Sequence, residues 1–265
     1  MSLYQGILLG LVQGLTEFLP VSSTGHLVIV QRLIRFDGNP VAADALLHLG
    51  TLVAVVLYFR RELALVAGSV FKWATRRGRD RYTVLAFYLL VATIPGAAAG
   101  AAFEKFFSAA FESVTVVGLM LITTGVILWL AESVRPGEKT LESLSLSDSL
   151  LVGLAQTLAI MPGLSRSGAT IAAGIWRGFD RREAAKFSFL LSVPIIAGAA
   201  GFELAKTKES AISPYLLVGT VVAGLSGWLA IGLLIKMVQE QRLRFFSVYC
   251  FIVGSLALAL GLLNR

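Results

Sequence analysis

Charge is scarce in this sequence. Only 15% of its 265 residues are Asp, Glu, Lys or Arg, while 56% are hydrophobic and the mean hydropathy is +0.79. That balance excludes an ordinary soluble globular domain, in which about a quarter of residues are charged. Cysteine is almost absent as well, and the single Cys250 excludes an internal disulfide. No charged side chain falls between Met1 and Val12, so the basic region of a cleaved signal peptide is missing and residues 1–30 are expected to belong to the folded protein. The net charge of +7 sits in loops between apolar runs with no base-reading motif beside it. Positive-inside topology accounts for it, and nucleic-acid binding is set aside.

What the chain does have is long hydrophobic runs. Residues 42–59, 84–103, 113–131, 187–205, 214–235 and 246–263 are each long enough to cross hydrocarbon. The heaviest basic cluster, Arg60, Arg61, Lys72, Arg76, Arg77, Arg79 and Arg81, places 60–82 in the cytoplasm. Within it, 63–77 reads either as an amphipathic helix on the anionic leaflet or as a solvated loop. Residues 104–112 then lie outside and 132–147 inside. The next apolar stretch, 148–176, is broken at "MPGLSRSGAT" and followed by Arg177, Arg181, Arg182 and Lys186, which again read as cytoplasmic. A segment with both flanks on one side enters and returns. Irregular backbone at membrane depth requires protein or a wet cavity around it, so a re-entrant hairpin is expected. The start of the chain, broken at "LPVSSTGHL", reads the same way from the outer side.

The two broken segments are related. "GLVQGLTEFLPVSSTGHLVI" (10–29) and "GLAQTLAIMPGLSRSGATIA" (153–172) align without gaps at an offset of 143, with six identities in twenty and a shared order of apolar stretch, Pro, hydroxyls and Gly. The expected fold is all-α integral membrane, a single domain over 1–265. It comprises two inverted-topology repeats (about 1–132 and 148–265, joined by a cytoplasmic linker 133–147), each a re-entrant helical hairpin plus three transmembrane helices. Interrupted segments at matching positions of two halves point to a site near the midplane.

The residues at the breaks suit an anion. Helix N-termini carry unpaired donors and partial positive charge, and two of them meeting make an anion site. Ser22, Ser23 and Thr24 at one, and Ser165, Ser167 and Thr170 at the other, are hydroxyls of the helix-capping kind. Gly163 and Gly168 allow the tight turn and close approach of a phosphate cradle. Arg166 adds a planar cation matched to phosphate oxygens, and a charge at that depth is costly enough to imply a partner. Glu17 and His26 add reactivity, because a carboxylate, an imidazole and a hydroxyl together make an activated nucleophile. Either His26 takes the Ser23 proton while Glu17 orients it, or Glu17 is itself the base. Blander roles exist for single residues. Hydroxyls in membrane helices often bond backbone carbonyls, and His48 reads as a packed or interhelical hydrogen-bonding residue. Glu104, Lys105, Glu112, Glu132 and Glu203, near span ends, read as snorkelling or solvated.

"QGLTEFLPVSSTGH" (13–26) and "PGLSRSGAT" (162–170) closely resemble the two signature motifs of the bacterial undecaprenyl-diphosphate phosphatases of the bacitracin-resistance type, and the likeness runs over essentially all of 1–265, "FSFLLSVP" (187–194) included. The resemblance implies hydrolysis of undecaprenyl diphosphate to the monophosphate carrier used in cell-wall synthesis. It also implies a bacterial inner-membrane location, a site open to the periplasm, and a divalent cation, Mg²⁺ or Ca²⁺. By it, Glu17, Ser23, His26 and Arg166 are the catalytic candidates. Gln13, Ser22, Thr24, Gly163, Ser165, Ser167, Gly168 and Thr170 are the substrate-binding ones, and Glu17 is the candidate metal ligand. Gln13 departs from members that carry a second carboxylate there, which weakens any mechanism needing two protein carboxylates on a metal. The expected partners are a polyprenyl diphosphate lipid and the bilayer, with oligomeric state open and a homodimer among the options. A lipid-phosphate transporter or flippase using the same anion site is the alternative.

Overall fold

Ser2 and Ser145 open the two halves of the chain in the same way. Each accepts a hydrogen bond from the amide three residues on, and the side chain at that position, Gln5 or Asp148, reaches back to its amide. These capping boxes start α1 (Leu3–Phe18) and α8 (Leu146–Leu158). Each of these helices stops at a break and is followed by a short helix, α2 (Ser23–Leu33) or α9 (Arg166–Trp176). The structure, a computed structural model, describes residues 1–75, 78–206 and 213–263; Arg76 and Arg77 of the basic cluster lie outside the described residues.

Among the described residues, six helices are long and apolar enough to span a bilayer: α3 (Pro40–Tyr58), α5 (Arg81–Ala102), α7 (Val114–Glu132), α10 (Arg181–Lys206), α11 (Pro214–Gln239) and α12 (Leu243–Leu263). They are the six expected spans, most of them longer than the hydropathy windows alone suggest. Arg181, Arg182 and Lys186, read as a loop, form the first turns of α10. Two further helices lie between spans. Surface helix α4 (Arg60–Ala74) packs Leu63 and Val66 on the core and leaves Leu65, Val70, Phe71 and Trp73 exposed, so of the two readings of 63–77 the helix holds through Ala74. Short α6 (Glu104–Phe111) occupies the stretch expected to be an outer loop.

Contacts between helix ends define two faces. On one, Glu132 at the end of α7 meets Arg181 of α10 at 3.4 Å and accepts the Leu243 amide of α12, while Lys186 pairs with Glu62 of α4. Glu132 is thereby buried in an ion pair, not solvated as its position near a span end had implied. On the other face, Arg32 at the end of α2 reaches the Glu112 carbonyl just before α7, Lys206 pairs with Glu104, and the terminal amine pairs with Asp37. The α1–α2 hairpin therefore begins and ends on the Glu112 face. The α8–α9 hairpin begins and ends on the Glu132 face, where Arg177, following α9, bonds Asp148 of α8 at 2.6 Å.

Small residues let these helices approach closely, the usual basis of association where lipid removes the hydrophobic drive. A Cβ at Gly10 would strike the Gly219 carbonyl, which is why α1 lies along α11 with backbones nearly touching. Helix α8 lies along α5 through Gly153 and Ala92, and α7 along α12 through Gly118 and Gly254. The main core fills the space between α3, α5, α7, α9, α10, α11 and α12 around Phe18, Phe59, Phe189 and Ile171.

Candidate active site

The two breaks meet. Gly25 at the first turn of α2 sits on Gly163, and Gly168 at the first turn of α9 sits on Pro20. Each tip is held from the side by a third helix: Thr124 of α7 donates to the Gly163 carbonyl at 3.0 Å and accepts from the Ser165 amide at 3.0 Å, while the Cys250 thiol of α12 approaches the Pro20 carbonyl at 3.8 Å. Gly163 takes φ +95°, and a Cβ there would strike the Val117 carbonyl, so only glycine fits this turn. Ser22 holds φ 68° without being glycine, the kind of strain that persists where surrounding structure over-determines it.

Glu17, at the last turn of α1, is the centre. Its Oε1 accepts from Arg166 Nη2 at 2.6 Å. Its Oε2 accepts from Ser23 Oγ at 2.6 Å and from Gln13 Nε2 at 3.2 Å, and lies 3.4 Å from His48 Nε2 of α3. Glu17, Ser23 and Gln13 are all buried. One carboxylate thus draws together α1, α2, α3 and α9. Two side-chain atoms here are buried without a partner: Arg166 Nη1 and Gln13 Oε1. An unpaired guanidinium N–H beside a hydroxyl poised on a base is a ready contact for a phosphate oxygen.

The other predicted residues divide into two sets. Ser22 and Ser165 each cap their own helix, accepting from the Gly25 and Gly168 amides. Thr24 leans on Ser22 at 3.3 Å, and Ser167 on Ser165 at 3.2 Å and on the Leu19 carbonyl. Thr170 bonds the Arg166 carbonyl and, at 2.6 Å, Ser188 of α10. Ser165, Ser167 and Thr170 are buried, and their hydroxyls bond within the tip and to α10. What the tips can offer an anion is the first two amides of each helix, which have no intrahelical acceptor: Ser23 and Thr24 in α2, Arg166 and Ser167 in α9.

His26 does not face Ser23, as the first of the two arrangements needs, whereas Glu17 does, as the second needs. The His26 Nδ1 faces the Ser22 carbonyl at 2.8 Å and its Nε2 faces the Tyr249 hydroxyl of α12 at 2.8 Å, the two rings stacked. Both ring nitrogens face groups other than Ser23, and the carboxylate on the Ser23 hydroxyl is that of Glu17. The imidazole next to Glu17 is that of His48, whose isolation in an apolar run concealed it. No spacing rule links it to 13–26; only a count of titratable groups inside the spans singles it out.

The surroundings of Glu17 do not form a preformed metal site. Arg166, Ser23, the Gln13 amide nitrogen and His48 approach it as donors suited to an anion. The Gln13 oxygen is on the other arm of its amide, and no cluster of three or more His, Cys, Asp or Glu able to hold a cation occurs among the described residues. A dedicated protein site for a hard divalent cation presents several oxygens, whereas Mg²⁺ otherwise fills its coordination with water and substrate phosphate.

A family model described as bacitracin resistance protein BacA matches residues 6–256. The chain belongs to the BacA family. Curated relatives agree end to end. The undecaprenyl-diphosphatase of Desulforapulum autotrophicum is 40% identical over 276 residues, covering 98% of this chain and 99% of its own. Those of Carboxydothermus hydrogenoformans and Rubrobacter xylanophilus are 41% and 42% identical, covering 98% and 99% of this chain and 98% and 100% of their own. In this BacA-family chain the signature segments 13–26 and 162–170 are the two breaks that meet at Glu17.

Proposed function

We propose that the protein is an integral-membrane phosphatase that hydrolyses undecaprenyl diphosphate to undecaprenyl phosphate and inorganic phosphate, with Ser23 as nucleophile and Glu17 as its base. The bond that carries this reading is the 2.6 Å contact from Ser23 Oγ to Glu17 Oε2. Ser23 Oγ attacks the terminal phosphorus and its proton passes to Glu17; the bond to the bridging oxygen breaks, and undecaprenyl phosphate leaves. Glu17 hands the proton to the leaving phosphate and then takes one from the water that attacks the phosphoserine, and Ser23 recovers its proton from Glu17. Arg166 bears on the phosphoryl oxygens through its unpaired Nη1, and the tip amides share the charge that builds there, usually the largest single contribution. An anion transporter has no need of a base seated on a hydroxyl.

Finer points belong to the same proposal. A divalent cation, Mg²⁺ or Ca²⁺, arrives as the counter-ion of the diphosphate and not as a resident of the protein. The tip opens toward the periplasm of a bacterial inner membrane, since basic residues gather at the Glu132 face. The chain is built as two repeats of opposite orientation, supported by the paired capping boxes, the reciprocal Gly25–Gly163 and Gly168–Pro20 seats, and the packing of α1 on α11 and α8 on α5. All the reacting groups come from one chain, so a dimer is not needed to complete the site.

Phosphate release from a long-chain polyprenyl diphosphate in detergent tests the assignment. Ser23→Ala is expected to abolish turnover to within a small residue over background, and wild type quenched during turnover to carry phosphate on Ser23. Activity of Ser23→Ala near the wild-type level sinks the nucleophile assignment.

A further inference from the structure

Of the two histidines, His48 is the one that the motif does not include and the site does. We propose that His48 is a positioning residue for the phosphoryl-transfer step, holding the Glu17 oxygen that receives the Ser23 proton; this rests on Glu17 being the base.

His48 Nδ1 lies 2.6 Å from the Asp44 carbonyl, one turn back on α3. A carbonyl only accepts, so Nδ1 carries a hydrogen. With one proton on the ring, Nε2 would then turn a lone pair toward Glu17 Oε2 at 3.4 Å, a repulsive contact between two acceptors. The contact is attractive when the pair shares one further proton. His48 is then a donor to Oε2, the same oxygen that accepts from Ser23 and Gln13. His26 shows the contrast: its Nδ1 also faces a carbonyl, but its Nε2 faces a hydroxyl, which can donate to a neutral ring.

Two carboxylates interact with His48, Glu17 across the site and Asp44 one turn back on α3, and of these only Glu17 lies within ion-pair distance of the ring. Asp44, on the same helix, gives its carboxylate to Gln31 at 2.8 Å. Arg166 of α9 is on the opposite oxygen of Glu17. Helices α10 and α11, also packed on α3, bring no ion pair to His48 among the described residues. Thr51, one turn further along α3, donates to the His48 carbonyl and receives Gln13 at 3.5 Å, which ties this stretch of α3 to the α1 side of the site. Arg166 and His48 thus clamp the carboxylate from its two oxygens, and the orientation of Oε2 toward Ser23 is set by His48 and Gln13 together. Across the cycle His48 neither gains nor loses a proton; Glu17 does the carrying.

Kinetics of His48→Leu and His48→Gln, with Ser23→Ala alongside, test this. Leucine fills the space without a donor; glutamine restores an N–H that does not titrate. Because misplacing a reacting group by an ångström costs on the order of 100-fold, His48→Leu is expected to lose about 10- to 100-fold in kcat with KM within about 3-fold. His48→Gln is expected to return to within about 5-fold of wild type, since it keeps the donor. In both, the acid limb of the kcat–pH profile should move, because in wild type Glu17 titrates coupled to His48, with Asp44 beside the ring, and in the variants that coupling is gone. Wild-type kcat in His48→Leu overturns the proposal. So do equal losses in both variants with an unmoved acid limb, which would mark a packing role. An active Ser23→Ala would remove the nucleophile assignment while leaving the His48 effect on Glu17 readable.

Discussion

Arg166 illustrates how much a single residue can be asked to do here. One guanidinium nitrogen neutralises Glu17 at 2.6 Å while the other is buried and unpaired. In the proposed reaction, removing the side chain takes a cation away from the phosphoryl oxygens, and it leaves the buried Glu17 carboxylate without its guanidinium partner. Arg166→Ala is therefore expected to lower kcat/KM by roughly 100- to 1,000-fold, the scale found when one charge-stabilising donor is removed. Arg166→Lys is expected to recover only part of this, since an ammonium lacks the planar fork that lets one residue face both Glu17 and a phosphate. Phosphate release by the two variants measures the difference; equal activity of Lys and Arg at this position would show that only charge is needed. At this scale the sequence was legible where residues sat in a motif. Glu17, Ser23, Gln13 and Arg166 are together as their segments implied. His48 was not, because a lone imidazole in an apolar helix has no spacing partner. The direction of the His26 ring was not legible either, since Tyr249 reaches it from 223 residues away.

At the level of elements, the hairpin tips depend on helices that contribute nothing to the chemistry. Thr124 of α7 gives its hydroxyl to the Gly163 carbonyl and takes the Ser165 amide. Those two backbone groups are at the turn that aims Arg166. Thr124→Val keeps the shape and removes both bonds, leaving a buried donor and acceptor unsatisfied at about 1–3 kcal/mol each. The expected result is a protein that still purifies from the membrane but has a lower thermal midpoint. Its activity should fall with that of Arg166 variants and should not add to theirs in the double variant, since both act through one guanidinium. Full additivity of the two losses would place Thr124 outside the site's support. The breaks themselves were readable because Pro, hydroxyls and Gly interrupt apolar runs at matching offsets. Helix α6 was hidden since eight residues give too little periodicity to distinguish from a loop, and α4 was ambiguous because its exposed face is apolar, as a surface touching lipid would be.

Across the whole molecule, the six spans followed from hydropathy alone, but the details of their grip did not, because beside the shared apolar core it uses backbone contacts at glycines and a buried ion pair. Glu132 and Arg181 are both about 95% shielded and join the ends of α7 and α10, while Glu132 also accepts the first amide of α12. Arg181 additionally donates to the Glu132 and Val134 carbonyls, so the pair closes the face opposite Arg32 and Glu112. A buried pair adds little over a well-packed apolar substitute, but a broken one leaves an uncompensated charge at a cost of about 3–5 kcal/mol. Glu132→Ala is therefore expected to lower the thermal midpoint in detergent sharply, and Glu132→Leu combined with Arg181→Met to recover most of it. Because α7 carries Thr124 and α12 carries Cys250 and Tyr249, each touching a hairpin tip or His26, the single variant should also lose activity at temperatures where it is still folded. The double variant should regain it. If the double variant is as unstable as the single one, the amide and carbonyl bonds of this cluster, and not the ion pair, hold the three helices in place.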